Sequence, residues 1–397
     1  VVALTEMAAR LAEEFRVEHE RALIIAQERS WPIYGLQYID ERGLPVYYST
    51  DNADASNMTQ TTQLRNEFGV QGSGMVIGEW DGGHVRWTHQ DLSGRVVIWD
   101  GPLNVESHAT HVAGTLIGTG SGNLSAMGMA PQATLRSYDW DNDISEVITT
   151  GITGVLISNH SYGTIAGWDK EDGSVCSGFA SKWTWHGGSN QFNQLGDDPS
   201  FGQYNATARS IDLACIDAPF LLPVKSSGND HDNQPFDGLC SDDVRYFIEY
   251  DEVNEAVYSD WVSYNEDIHP SGDGTHSSSI STWGNAKNIL TVGNLQDNQI
   301  INASSSRKKT DDGRIKPDIC GNGTSVLSTE SASNTSYGEE TGTSMAAPNV
   351  AGSLLLLQQL YEAKNGYNGL YMRSATLKGL VIHTATDLGN PGRDYTY

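Results

Sequence analysis

The chain is short of positive charge, of cysteine and of long apolar runs. Its 24 lysines and arginines stand against 50 aspartates and glutamates, a formal net charge of −26 over 397 residues. Nucleic acid and anionic membrane surfaces would repel that balance, so neither is expected as a partner. No apolar stretch approaches the roughly 20 residues that a membrane-spanning helix needs. No basic segment followed by an apolar core opens the chain, so any secretion signal is expected to have been removed or never to have existed. The four cysteines, Cys176, Cys215, Cys240 and Cys320, lack the two-residue spacing of a zinc knuckle. They leave open two disulfides in any of three connectivities, or unpaired buried thiols. What is present is the material of a folded protein: 38% apolar residues, ten tryptophans, and 42 glycines that mark many turns. A soluble protein working outside the cell suits this composition.

One stretch organises the rest. Gly342-Thr343-Ser344-Met345-Ala346-Ala347-Pro348 runs into Val350-Ala351-Gly352 and four leucines, Leu354 to Leu357. The pattern predicts a tight turn opening a buried helix, with Ser344 at or near its first residue and Pro348 harmless in a first turn. Free N–H groups at such an end favour a developing anion. A lone serine there would ordinarily be a helix cap, and neighbouring evidence must decide.

Upstream, residues 4–29 carry apolar positions at helical spacing, and 33–48 alternate like a hairpin. The polar stretch 49–62 reads as a linker, which divides the chain into an N-terminal extension, 1–62, and a main domain, 63–397. In that domain strands expected at 75–80, 96–99, 135–138, 155–158, 220–226 and 289–292 alternate with helices at 108–117, 144–152, 207–216, 344–361 and 373–385. Such alternation predicts an α/β fold, a doubly wound and mostly parallel sheet with helices on both faces. Long loop insertions at 164–205 and 230–285 interrupt it.

Ligands of open parallel sheets bind beyond the carboxyl ends of the strands. Asp81 follows the first of these strands. His108 lies in Ser107-His108-Ala109-Thr110-His111-Val112-Ala113-Gly114-Thr115, and Ser344 opens the long helix. The order Asp, His, Ser is one of the known orders of an acid, base and nucleophile set. A hydroxyl needs a base to take its proton, imidazole has a suitable pKa, and a buried carboxylate fixes the ring's tautomer. Asn229, in Ser227-Gly228-Asn229, could donate to the oxyanion beside the Ser344 N–H. Taken singly, Asp81 reads as a turn residue and His108 as a packed histidine; four features in one order change the balance. The absence of Gly-x-Ser-x-Gly at Ser344 argues against an α/β-hydrolase elbow.

The segments Asp81-Gly82-Gly83, His108 to Thr115 and Gly342 to Pro348 resemble the signature blocks of the subtilisin-like serine proteases, closest to the large secreted bacterial members. Ser227-Gly228-Asn229 resembles their oxyanion block, and the likeness runs from about residue 65 to the C-terminus. It implies peptide-bond hydrolysis through an acyl-enzyme, with Asp81 orienting His108, His108 as base, Ser344 as nucleophile and Asn229 as oxyanion donor. Substrate would pair as an extra strand with Ser161-Tyr162-Gly163, and Ser226-Ser227-Gly228 would form the far wall of the P1 pocket. Asp230 beside that pocket favours a basic P1 residue if it faces inward, and nothing if it faces solvent.

The sequence departs from the family at Ala109, Asn349, Gln90 and Asp91, none of them a reacting group. The first 62 residues resemble either part of an N-terminal propeptide or an extension of the mature enzyme. The chemistry requires no cofactor. Structural calcium is common in the family, and Asp139/Asp141/Asp143, Asp51/Asp54 and Asp230/Asp232 offer oxygen ligands, although at this net charge clustered aspartate is usually only solvated surface. Protein or peptide substrates are the expected partners. Two other functions remain open at this level: an acyl transferase or peptide ligase on the same fold, and a catalytically inactive binding protein.

Overall fold

Short apolar runs punctuated by glycine and aspartate become the strands of one central sheet in the computed structural model. It describes residues 21, 24–25, 36–39, 45–47, 51–100, 104–141, 143–164, 166–170, 183–185, 200–233, 244–251, 256–263, 278–389 and 392. Two compact units result, Val1–Thr50 and Asp51–Tyr397. In the first, Leu36–Ile39 pairs antiparallel with Pro45–Tyr47, within the stretch expected to form a hairpin. The helix expected over 4–29 lies outside the described residues, except for Arg21, Ile24 and Ile25, which are helical.

The second unit carries seven parallel strands. They are β1 (Val76–Asp81), β2 (Val96–Ile98), β3 (Thr134–Asp139), β4 (Ile157–His160), β5 (Leu222–Ser226), β6 (Leu290–Leu295) and β7 (Ile319–Asn322). Their spatial order is β7-β6-β5-β4-β1-β3-β2. Each neighbouring pair is parallel. From β1 the chain crosses to the edge strand β2 and returns to β3, then passes to the other side of β1 for β4, β5, β6 and β7, so the switch falls between β1 and β4. A crevice forms at such a point because the connections on its two sides leave in opposite directions.

The helices are α1 (Asp51–Met58), α2 (Thr61–Phe68), α3 (Ser107–Ile117), α4 (Asp143–Ile152), α5 (Ala206–Asp217), α6 (Thr343–Lys364) and α7 (Ser374–Thr384). Strand side chains alternate between two cores. Ile77, Leu135 and Ile157 pack with α3 and α6, while Trp80 and Tyr138 pack with α4 and α5. Both faces are thus covered, as the apolar character of the strands requires. The α6 helix is buried on every side through its first turns, and Leu354, Leu355 and Leu356 are almost wholly inside. Each such leucine contributes about 1.5–3 kcal/mol on leaving water.

Three expectations change. The stretch 49–62 is no linker: α1 and most of the first turn of α2 occupy it. Its fold depends on tertiary contacts, with the Asn349 amide of α6 donating to the Ala55 carbonyl at 2.9 Å. The seventh strand, β7, and the antiparallel pair β8 (Val326–Thr329) and β9 (Tyr337–Glu340) had no visible periodicity. The two insertions meet: Trp168–Lys170 and Trp183–Trp185 from the first share a four-stranded sheet with Val244–Asp251 and Ala256–Ser263 from the second. Cys215 and Cys320 are free thiols, and Cys176 and Cys240 lie outside the described residues.

Candidate active site

Asp81 is the last residue of β1, at the switch point, and its side chain is buried. Its Oδ1 accepts from the Gly82 N–H at 2.7 Å. His108 is the second residue of α3, a helix capped by the Glu106 carboxylate, which accepts from the Ala109 N–H. At Gly114 the same helix approaches β8 so closely that a Cβ would lie 2.3 Å from the Ser328 and Thr329 hydroxyls. Glycine there sets how deep α3 sits, and therefore where His108 points.

His108 Nδ1 donates to the Asp81 carboxylate, 2.9 Å from each oxygen. Nε2 is the other face of the ring, and the side chain is 33% exposed. Burial lowers the imidazole pKa. The Asp81 hydrogen bond and charge, with Glu340 and Glu106, outweigh it, and the result is a base stronger than an ordinary histidine. His111, one turn on, is pushed down to about 4 by burial and stays neutral.

Ser344 is the second residue of α6. Its hydroxyl donates to the Ser161 carbonyl at 3.0 Å, just past β4. In return the Ser161 hydroxyl donates to the Ser344 carbonyl at 2.8 Å. Pro348 explains that second bond. It lies sixth in α6 rather than within the first turn, so it lacks the N–H that would ordinarily close on the carbonyl four residues back, that of Ser344. Ser161 supplies the missing donor. The hydroxyl of Ser344 is thus turned to Ser161 at rest, and not bonded to His108. Glu340, four residues earlier, is near enough to His108 for each to shift the other's pKa.

Asn229 follows Gly228, which holds φ +106°, a conformation that favours glycine. The Asn229 Oδ1 accepts from the Thr343 N–H at 2.9 Å and its hydroxyl at 3.1 Å. With the oxygen so held, the amide nitrogen lies 3.3 Å from where a Cβ on Gly342 would stand. Beyond β4, Ser161, Tyr162 and Gly163 run on without helix or strand, and Ser226, Ser227 and Gly228 continue β5 beside them. The structure therefore gathers all ten expected site residues at the carboxyl edge of β1, β4 and β5.

Two buried ionisable groups at this edge escaped the sequence reading. Glu79 lies on β1, two residues before Asp81, with 0% exposure. Neither of its oxygens has a hydrogen-bond partner among the described residues. Burial, then the charge of Asp81, raises its pKa well above the ordinary carboxyl value. Lys225, on β5, is 4% exposed, and burial lowers its amine to about 7 against the raising charges of Asp143, Asp230 and Asp81. A charged residue inside a run of strand hydrophobics was the available signal for both.

Of the aspartate clusters, the side chains of Asp51 and Asp54 lie outside the described residues. Asp139 Oδ1 accepts from the Asp141 N–H, and the two Asp143 oxygens accept from the Ile144 N–H and the Tyr162 hydroxyl. Among the described residues no three His, Cys, Asp or Glu side chains come together. No described helix is long and apolar enough to cross a membrane.

The subtilase family profile matches residues 72–397, and the chain belongs to that family. A stretch of 97 residues is 37% identical to the C5a peptidase of Streptococcus pyogenes, covering 24% of this chain and 6% of that protein. The matched stretch is thus a small part of a much longer relative. Among solved structures, the CspB protease of Clostridium perfringens superposes with a TM-score of 0.56 at 15% identity, covering 86% of this chain and 94% of the other. The prenylagaramide maturation protease PagA gives 0.53 at 17% identity, covering 85% and 92%. At these identities the likeness is one of fold.

Proposed function

We propose that this chain is a serine endopeptidase that cuts proteins through an acyl-enzyme. The observation that carries the reading is the Asp81–His108 pair, bonded at 2.9 Å at the switch point of the sheet, one strand from the helix start that bears Ser344. In the reaction the Ser344 hydroxyl turns from Ser161 toward His108. Its oxygen attacks the scissile carbonyl carbon while His108 Nε2 takes the proton. The carbonyl oxygen becomes an oxyanion facing the Asn229 amide nitrogen and the Ser344 N–H. As the second N–H of α6, the latter belongs to a first turn that has no intrahelical acceptors. His108 then gives its proton to the leaving amine, and the C–N bond breaks. Water, activated by the same imidazole, releases the acid and restores Ser344.

Substrate backbone lies along Ser161 to Gly163, with the P1 side chain between Gly163 and Gly228, where neither wall carries a side chain. A net charge of −26 keeps such an enzyme soluble and suits an extracellular setting.

A fluorophosphonate probe tests the reading. Ser344 should be labelled and quenched peptides cut, and Ser344→Ala should lose both. An unlabelled Ser344 in folded protein overturns it.

A further inference from the structure

We propose that Lys225 makes the P1 pocket selective for an acidic side chain, aspartate or glutamate, at the residue whose carbonyl is attacked. The proposal rests on the endopeptidase reading and adds a substrate class to it.

Lys225 is the fourth residue of β5, and its Nζ lies in the gap between the two proposed pocket walls. It donates to the Tyr162 carbonyl on one wall, and at 3.1 Å each to the Ser226 carbonyl and hydroxyl on the other. A Cβ built on Gly163 would stand 3.9 Å from this nitrogen and 3.9 Å from Ser281 Oγ. The amine is therefore directly beneath bare backbone, where an entering side chain would arrive. The rings of Tyr162 and Trp283 flank it at 5.4 and 5.7 Å.

Among the described residues, everything that touches this cation is neutral. Aromatic faces and carbonyl oxygens stabilise a buried ammonium only in part, and buried charges are ordinarily paired. The chain follows that rule elsewhere: Lys316, equally buried, is 2.7 Å from Asp318. Lys225 has no such ion pair among the described residues.

The nearby acids are engaged differently. Asp143 accepts from the Tyr162 hydroxyl and the Ile144 N–H, both at 2.7 Å. Asp230 accepts from the Asn233 amide at 3.3 Å, and lies on the Gly228 side, 3.0 Å from a Cβ built there. Asp230 would favour a basic P1 residue, but it is partly exposed and its field is screened. The buried charge acts through a lower dielectric and decides the sign. A substrate carboxylate would supply the partner that Lys225 lacks, in a site where desolvation makes that partner count most.

The test is a set of quenched peptides that differ only at P1: Glu, Asp, Gln, Leu and Lys. Replacing a neutral hydrogen bond by a charge-assisted one predicts kcat/KM for Glu or Asp about 10-fold or more above Gln. Lys225→Met should collapse the acidic-to-neutral ratio toward one. Lys225→Gln gives the same readout if the methionine variant does not fold. Wild-type cleavage that is fastest after Leu or Lys overturns the proposal, as does an unchanged ratio in either variant. Ser344 labelling by the fluorophosphonate separates the two readings. A labelled enzyme with the wrong P1 preference removes only the role of Lys225, whereas an unlabelled enzyme that cuts no peptide removes the endopeptidase reading and this one with it.

Discussion

Replacing Glu79 by leucine should make the protein more stable, and increasingly so as the pH rises. The carboxyl has 0% exposure, no hydrogen-bond partner among the described residues, and a pKa raised by burial and by Asp81. In the unfolded chain the same group ionises near pH 4.3, about its ordinary value. Above that pH the unfolded state has lost the proton that the folded state retains. The contribution of Glu79 to stability is therefore best at low pH and declines as pH rises toward the folded pKa. The loss begins above the unfolded pKa and continues up to the folded one. Two orphaned buried oxygens add a penalty of roughly 1–3 kcal/mol at any pH. Glu79→Leu removes both terms, and Glu79→Gln removes the pH dependence alone. Urea unfolding at pH 5, 6 and 7, in a Ser344→Ala background that prevents self-digestion, measures each. Parallel stability curves for wild type and Glu79→Leu, or a leucine variant less stable at pH 7, would refute the reasoning.

Asn229→Ala should lower kcat about 100- to 1000-fold with KM little changed; a rise in KM at constant kcat would make Asn229 a binding group instead. Because Asp81, Glu340 and Glu106 raise the His108 pKa, kcat/KM should climb with pH through a value above 6.5 as the base loses its proton. Glu340→Gln should move that limb to lower pH, and a wild-type limb below 6.5 would contradict the assignment. Cys215 is buried and its thiol is pushed up to about 12, so iodoacetamide at pH 8 should leave it unmodified until the protein is unfolded. Rapid labelling of the native protein would show that α5 is not packed as described.

The site residues were legible because each sits at a punctuation mark. Asp81 ends an apolar strand at two glycines, His108 begins a helix of small residues, and Ser344 begins a helix of leucines. The rest was hidden for identifiable reasons. The α1 helix has a polar sequence and is held from outside, by Asn349, so no local periodicity announces it. The short β7, β8 and β9 strands are rich in Ser, Thr, Gly and Glu, which read as loop. The four-stranded sheet joins two segments far apart in the chain, and single-segment patterns carry no sign of such pairing. Pro348 could be seen, but the hydroxyl that answers it, that of Ser161, belongs to a strand edge almost two hundred residues upstream.

Mounting Ser344, the proposed nucleophile, on α6 ties the proposed chemistry to the integrity of the whole second unit. Loop tips and chain ends open and close at little free-energy cost, but a helix enclosed through its first turns does so only with the core around it. Fluctuations that fray the periphery therefore leave Ser344 in place. A population that still cleaves is one whose interior is intact, so residual turnover during denaturation counts whole molecules rather than softened ones.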